Sequence, residues 1–172
     1  MTRKELIDKA RAMAELPAKY AMGGGKLYPK GKDPLDENGK CDCSAFVMWC
    51  LGLPKFTDDF AWLTAWNGGW FNTDGIWKSQ RHTCGYFYNG PGTPAIGRIL
   101  VYPAAWVARP VGGPKVGPRV GHVAIVSGPD RIIHCSSGNQ RKHGRAIMET
   151  DISAIPSPDS IRYLRASSVD YS

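Results

Sequence analysis

Apolar positions near the start of the chain recur at helical spacing. Leu6, Ile7, Ala10, Met13 and Ala14 form one stripe with charged residues between them. Thr2 with Glu5 three residues on is a capping-box pattern, so the spacing predicts an amphipathic helix from Thr2 to about Lys19. Gly23-Gly24-Gly25 ends this region, and Pro29 to Lys40 reads as a polar loop. The pattern then changes. From Cys43, Phe46, Val47 and Cys50 follow at i+3, i+4 and i+7, while Met48 and Trp49 cover other faces. A helix apolar all round is a central, buried one, and Gly52 and Pro54 close it at about Leu51.

Residues 55 to 95 are rich in Gly and aromatics, among them Trp62, Trp66, Trp70, Phe71, Trp77, Tyr86, Phe87 and Tyr88. A short helix around Asp58–Trp66 fits this stretch, with structured loops elsewhere. From Arg98 the period shortens to that of strands. Arg98–Tyr102 is the first, followed by a Pro/Gly-rich excursion from Pro103 to Arg119. Val120–Ser127 and Arg131–Cys135 then form a hairpin about Gly128-Pro129-Asp130, and a last strand is expected at Ser160–Leu164. Helices first and antiparallel strands after make an α+β layout. The 172 residues suit one domain, 1–172, with no repeats and no low-complexity segment.

A formal net charge of +7 favours an anionic partner: nucleic acid, a membrane surface or an acidic wall polymer. The basic residues are scattered and no nucleic-acid motif accompanies them, so no nucleic acid is expected. No apolar stretch approaches the roughly 20 residues of a membrane span. The first residues are charged, without the apolar segment of a secretory signal. The chain is therefore expected to be made in the cytoplasm and to reach a wall only through lysis or a secretion machine. Five cysteines without regular spacing argue against a disulfide framework. Cys41-Asp42-Cys43 with Cys84 and Cys135 lacks the paired ligand sets of structural zinc, so neither metal nor cofactor is expected.

Cys43 stands where the polar loop ends and the buried helix begins. Unpaired N–H groups and the macrodipole there favour negative charge, which should lower the thiol pKa and hold an oxyanion. A small core cysteine is the alternative, and Cys50 reads as one. The hairpin changes the balance. His122 and His134 alternate onto one face of successive strands, and an odd-length turn would set them directly opposite. His134 would then fix the ring of His122, leaving its other nitrogen for the thiol, the logic of a nucleophile, base and orienting group. Two histidines that pair only structurally are the alternative. Cys135 should face the opposite side of the sheet, in the core, and His82 and His143 read as surface residues.

Asp42-Cys43-Ser44-Ala45-Phe46-Val47 resembles the D-C-S-G-F-V signature of the NlpC-type cell-wall cysteine peptidases, a papain-like family. Gly121-His122-Val123-Ala124-Ile125 is similar to their G-H-V-G-I segment, and Ile132-Ile133-His134 to the V-I-H that carries their third catalytic residue. Lys19-Tyr20-Ala21-Met22-Gly23-Gly24 and Leu53-Pro54-Lys55 resemble two further stretches, so the match runs in order from about Tyr20 to His134. The resemblance implies a papain-like fold with Cys43 as nucleophile, His122 as base and His134 as orienting group. It implies hydrolysis of a peptidoglycan stem peptide, at a D-glutamyl–diamino acid bond or a cross-link. It also implies that Asp42 and Ser44 border the pocket that holds a free stem-peptide amine, with Tyr20 nearby. From the residues alone, Asp42 and Ser44 are equally helix caps. Ala45 and Met22 depart from the family's Gly and Trp, and about 80 residues separate Cys43 from His122, longer than is typical of the family.

A phage lysin, an injected antibacterial effector with a delivery or immunity partner, and a wall-recycling enzyme all fit, each expected as a monomer. The same thiol and imidazole also serve acyl transfer, amidase or deamidase chemistry on another substrate. A catalytically silent wall-binding module would use only the basic surface and the aromatics, whose other reading is core packing.

Overall fold

Thr2 caps α1 (Arg3–Ala14): its hydroxyl accepts from the Glu5 amide, and the Glu5 carboxylate accepts from the Thr2 amide. The predicted stripe is the buried one, Leu6, Ile7, Ala10, Met13 and Ala14. The helix stops earlier than the expected Lys19. Pro17 disfavours helical backbone at the residue before it, and Lys19–Tyr20 instead forms β1, parallel to β2 (Lys40–Cys41). In this computed structural model, residues 1–59, 68–79, 85–90, 92–104, 120–155 and 161–172 are described. Most of the expected helix about Asp58–Trp66, most of the Pro103–Arg119 excursion, His82 and Cys84 lie outside them.

α2 (Cys43–Leu51) follows directly, and all nine of its residues are buried. Gly52, with φ of 70°, ends it in the left-handed conformation that glycine adopts at least cost. A short helix, α3 (Thr73–Ser79), leads to β3 (Phe87–Asn89), β4 (Ile99–Tyr102), β5 (His122–Gly128) and β6 (Arg131–Cys135). A polar helix, α4 (Ser137–His143), precedes β7 (Ile147–Asp151), and β8 (Arg162–Ala166) closes the fold. Neither α4 nor β7 was expected. α4 buries only Asn139 and β7 is fully buried only at Ile147, so neither carries an apolar pattern.

The six strands pair antiparallel in the order β3-β8-β4-β5-β6-β7. One face of the sheet packs Val123, Ile125, Ile133, Cys135 and Ile147 against α1 and α2. Alternation places Leu100, Tyr102, Ala124, Val126 and Ile132 on the other face. Phe71 and Phe87 join the helix-side core, whereas Trp70 and Tyr88 are exposed. This is the expected α+β, papain-like arrangement, a buried helix beginning at Cys43 on an antiparallel sheet. No helix among the described residues is long and apolar enough to cross a membrane.

Candidate active site

The start of α2 is held by its cap. Asp42 Oδ1 accepts from the Ala45 amide and from the Ser44 hydroxyl, each at 2.8 Å. Its Oδ2 accepts from Lys55 Nζ at 2.7 Å and from the Gly23 amide at 3.0 Å. The ion-paired side chains are only 6% and 7% exposed. Two buried charges are tolerated only when hydrogen bonds satisfy them, and Lys55 also donates to the Gly24 carbonyl at 3.2 Å. Asp42 and Ser44, expected to border the substrate pocket, are thus buried within the cap, and neither lines the cleft described below. The Lys55 ammonium occupies one of the oxygens expected to receive a peptide amine.

Cys43, the first residue of α2, is 6% exposed. The backbone N–H groups of Val123 and Ser44 lie near its sulfur and favour the thiolate, as a helix start should. Burial outweighs them. The thiol is pushed up to about 12, first by desolvation and then by the Asp42 charge. The expected lowering of the thiol pKa is therefore reversed, because the amides cannot replace the water that α2 and the sheet exclude.

Val123 is the residue after His122, so the sulfur rests on β5 beside the histidine's own backbone. His122 Nε2 lies 2.8 Å from His134 Nδ1, the rings nearly perpendicular. The two residues are not directly opposite, as an odd-length turn would have required. The turn has two residues, Pro129 and Asp130, and the ladder shifts between Val126 and Gly128. Ile125 pairs with Ile133, and that register carried one step on sets His134 across from Ala124. His122 meets His134 along the diagonal, which two imidazoles can span. Desolvation lowers the His122 pKa to about 3, with His134 adding to it, and burial lowers His134 to about 4. Both rings rest neutral at pH 7. With Nε2 of His122 engaged, Nδ1 is its remaining nitrogen for a proton.

A cleft of about 370 Å³ opens over the two histidines, walled by Tyr20, Met22, Tyr102, Gly121, Arg141 and Ile155 among others. Tyr20 is placed by β1, and its amide donates to Gln140 Oε1. Its hydroxyl is pushed above its ordinary range by burial and then by Cys43 and Asp42, which puts it in electrostatic reach of both. Gly121 is tightly confined. A Cβ there would lie 2.3 Å from Thr73 Oγ1 and 2.7 Å from the Ala104 amide nitrogen. Gly25, at φ of 98°, similarly leaves room for the Cβ of Ala45, which stands 2.4 Å from where a Cβ on Gly25 would be.

Four features of this site were not read from the sequence. Lys55 belongs to a stretch that resembles the family, but its pairing with Asp42 leaves no mark in the sequence, and the Val123 amide has no side-chain signal. Arg141 sits in a polar run that gave no helical stripe. Thr150, whose hydroxyl is 3.0 Å from His134 Nε2, belongs to the unexpected strand β7. Among the described residues, Cys41, Cys50 and Cys135 are buried free thiols, with Cys135 on the core side as expected.

A protein-family model described as the CHAP domain matches residues 35–139, a span that contains Cys43, His122 and His134 and ends before Thr150. No curated protein matches the chain.

Proposed function

Since this chain belongs to the CHAP family, papain-like cysteine hydrolase and amidase domains of peptidoglycan hydrolases, we propose that it cleaves wall stem peptides or their cross-links with Cys43 as nucleophile, His122 as base and His134 as orienting group. The observation that carries this reading is the seating of the Cys43 sulfur near the Val123 amide, the peptide unit that follows His122, whose ring is held by His134.

With both groups neutral at rest, the proton leaves the thiol as the carbon–sulfur bond forms. His122 Nδ1 receives it while sulfur attacks the peptide carbonyl. The Cys43 amide at the first turn of α2 receives the developing oxyanion. His122 then protonates the leaving amine as the carbon–nitrogen bond breaks. Water next attacks the thioester with His122 as base, and the acyl product leaves with Cys43 reprotonated. His134 keeps the imidazole aligned throughout, and Tyr20 forms a substrate-contacting wall of the cleft. A D-glutamyl–diamino acid bond or a cross-link is the target.

The test is mass spectrometry of purified peptidoglycan digested by the protein, with Cys43→Ala as control. New muropeptide termini formed only by the wild type support the reading. Unchanged muropeptides across several wall chemistries contradict it.

A further inference from the structure

We propose that Thr150 is a positioning residue that fixes the tautomer of His122 through His134, leaving Nδ1 of His122 bare and able to accept a proton. The inference rests on the catalytic reading above and adds to it a residue beyond the family match.

The three side chains form one diagonal row across β5, β6 and β7. His134 pairs with Met148 and Ile132 with Thr150, so Thr150 stands one diagonal step from His134. His122 stands one such step away on the other side, in the opposite direction along β6. The row is therefore straight, and the sheet itself aligns His122, His134 and Thr150.

Proton counting gives the row its direction. The Thr150 hydroxyl lies 3.4 Å from the Asp151 carbonyl oxygen and donates to it. A carbonyl only accepts, and a hydroxyl has one proton. Towards His134 Nε2, 3.0 Å away, the Thr150 oxygen is left to accept. His134 must then carry its proton on Nε2. Buried and neutral, it has no second proton, so its Nδ1 is bare and accepts from His122 Nε2–H across 2.8 Å. The same count applied to a neutral His122 leaves its Nδ1 bare. With the Thr150 hydroxyl turned the other way, every proton in the row reverses and His122 presents Nδ1–H, which cannot accept the thiol proton. The bond to Asp151 selects between the two.

Thr150→Val keeps the β-branched shape that suits a strand and removes the acceptor. Thr150→Ser keeps the hydroxyl. Long-range ¹H–¹⁵N correlation spectra at neutral pH report which ring nitrogens carry protons, with or without activity. We expect Nε2–H on both rings in the wild type and in Thr150→Ser, and loss of the single Nε2–H form in Thr150→Val. On soluble muropeptides, kcat of Thr150→Val should fall about tenfold, the equivalent of one hydrogen bond, with KM within about twofold. Thr150→Ser should restore it. Wild-type spectra with Nδ1–H on His134 overturn the proposal even if no variant folds. So does a Thr150→Val protein with unaltered tautomers or unaltered kcat. Absence of wall cleavage beside the expected wild-type tautomers would count against the hydrolase reading while leaving the row standing.

Discussion

Lys55 reaches the Asp42 carboxylate at 2.7 Å in a buried pair at the start of the helix that carries Cys43. The lysine comes from the segment after α2, so the pair ties the chain on both sides of that helix. The carboxylate expected to meet substrate is held within the scaffold at the start of α2.

Removing one partner should therefore be costly. Lys55→Met leaves a buried carboxylate unpaired, and we expect a loss of about 3–5 kcal/mol in urea unfolding. The double variant Asp42→Asn/Lys55→Met should recover most of it, because an Asn carbonyl still caps the Ala45 amide. A single variant within about 1 kcal/mol of wild type would show that the pair behaves like an exposed one.

Gly121 sets where β5 begins. A methyl group there meets Thr73 Oγ1 and the Ala104 backbone, and the backbone cannot move aside like a flexible side chain. Gly121→Ala should cost about 1–3 kcal/mol by overpacking and displace His122, lowering kcat more than KM rises. Wild-type kinetics in that variant would mean that the strand start tolerates a shift without disturbing His122.

The thiol at rest should be unreactive for its place in the site. Its pKa is pushed up to about 12 and that of His122 is lowered to about 3, so a preformed thiolate–imidazolium pair is not the ground state. Alkylation of Cys43 by iodoacetamide, followed by peptide mass mapping, should be slow at pH 7 and rise about tenfold per pH unit into the alkaline range. A fast rate that is level from pH 5 to 8 would reveal the preformed ion pair.

Acid should weaken the fold before the carboxylates titrate. The folded-state pKa values of His122 and His134, about 3 and about 4, lie below the roughly 6.5 of an unfolded histidine. Between those values the unfolded chain binds more protons, so stability is full above about pH 6.5 and falls as the pH drops towards 3–4. Glu149 and Asp151, held low by Arg11 and by Ser153 respectively, add their own loss only at lower pH. Urea unfolding at pH 7.0, 6.0 and 5.0 should show a slope that His122→Gln/His134→Gln flattens. An unchanged slope in the double variant would assign the acid sensitivity elsewhere.

Much of this architecture was legible wherever burial writes a pattern. The α1 stripe, the all-apolar α2 and the hairpin faces carry their apolar residues at the period of the element, and the cap of α1 is a local motif. The positions of Cys43, His122 and His134 followed from those elements. What escaped lacks such a pattern. α4 and β7 are largely polar, and Lys55 is buried because of a partner 13 residues away. The diagonal His122–His134 contact depends on a two-residue turn with a ladder shift, which parity of spacing cannot reveal. The thiol pKa is not legible, because sequence shows the helix start but not how completely water is excluded from it.

Covalent catalysis at Cys43 has the acyl-enzyme as its most direct witness. Soluble muropeptides mixed with the protein and quenched in acid during turnover should yield an added mass equal to the acyl half of the cleaved bond. Peptide mapping should locate it on Cys43, hydroxylamine should release it, and Cys43→Ala should show none. Continued turnover with no adduct, or an adduct on a different residue, would contradict the account.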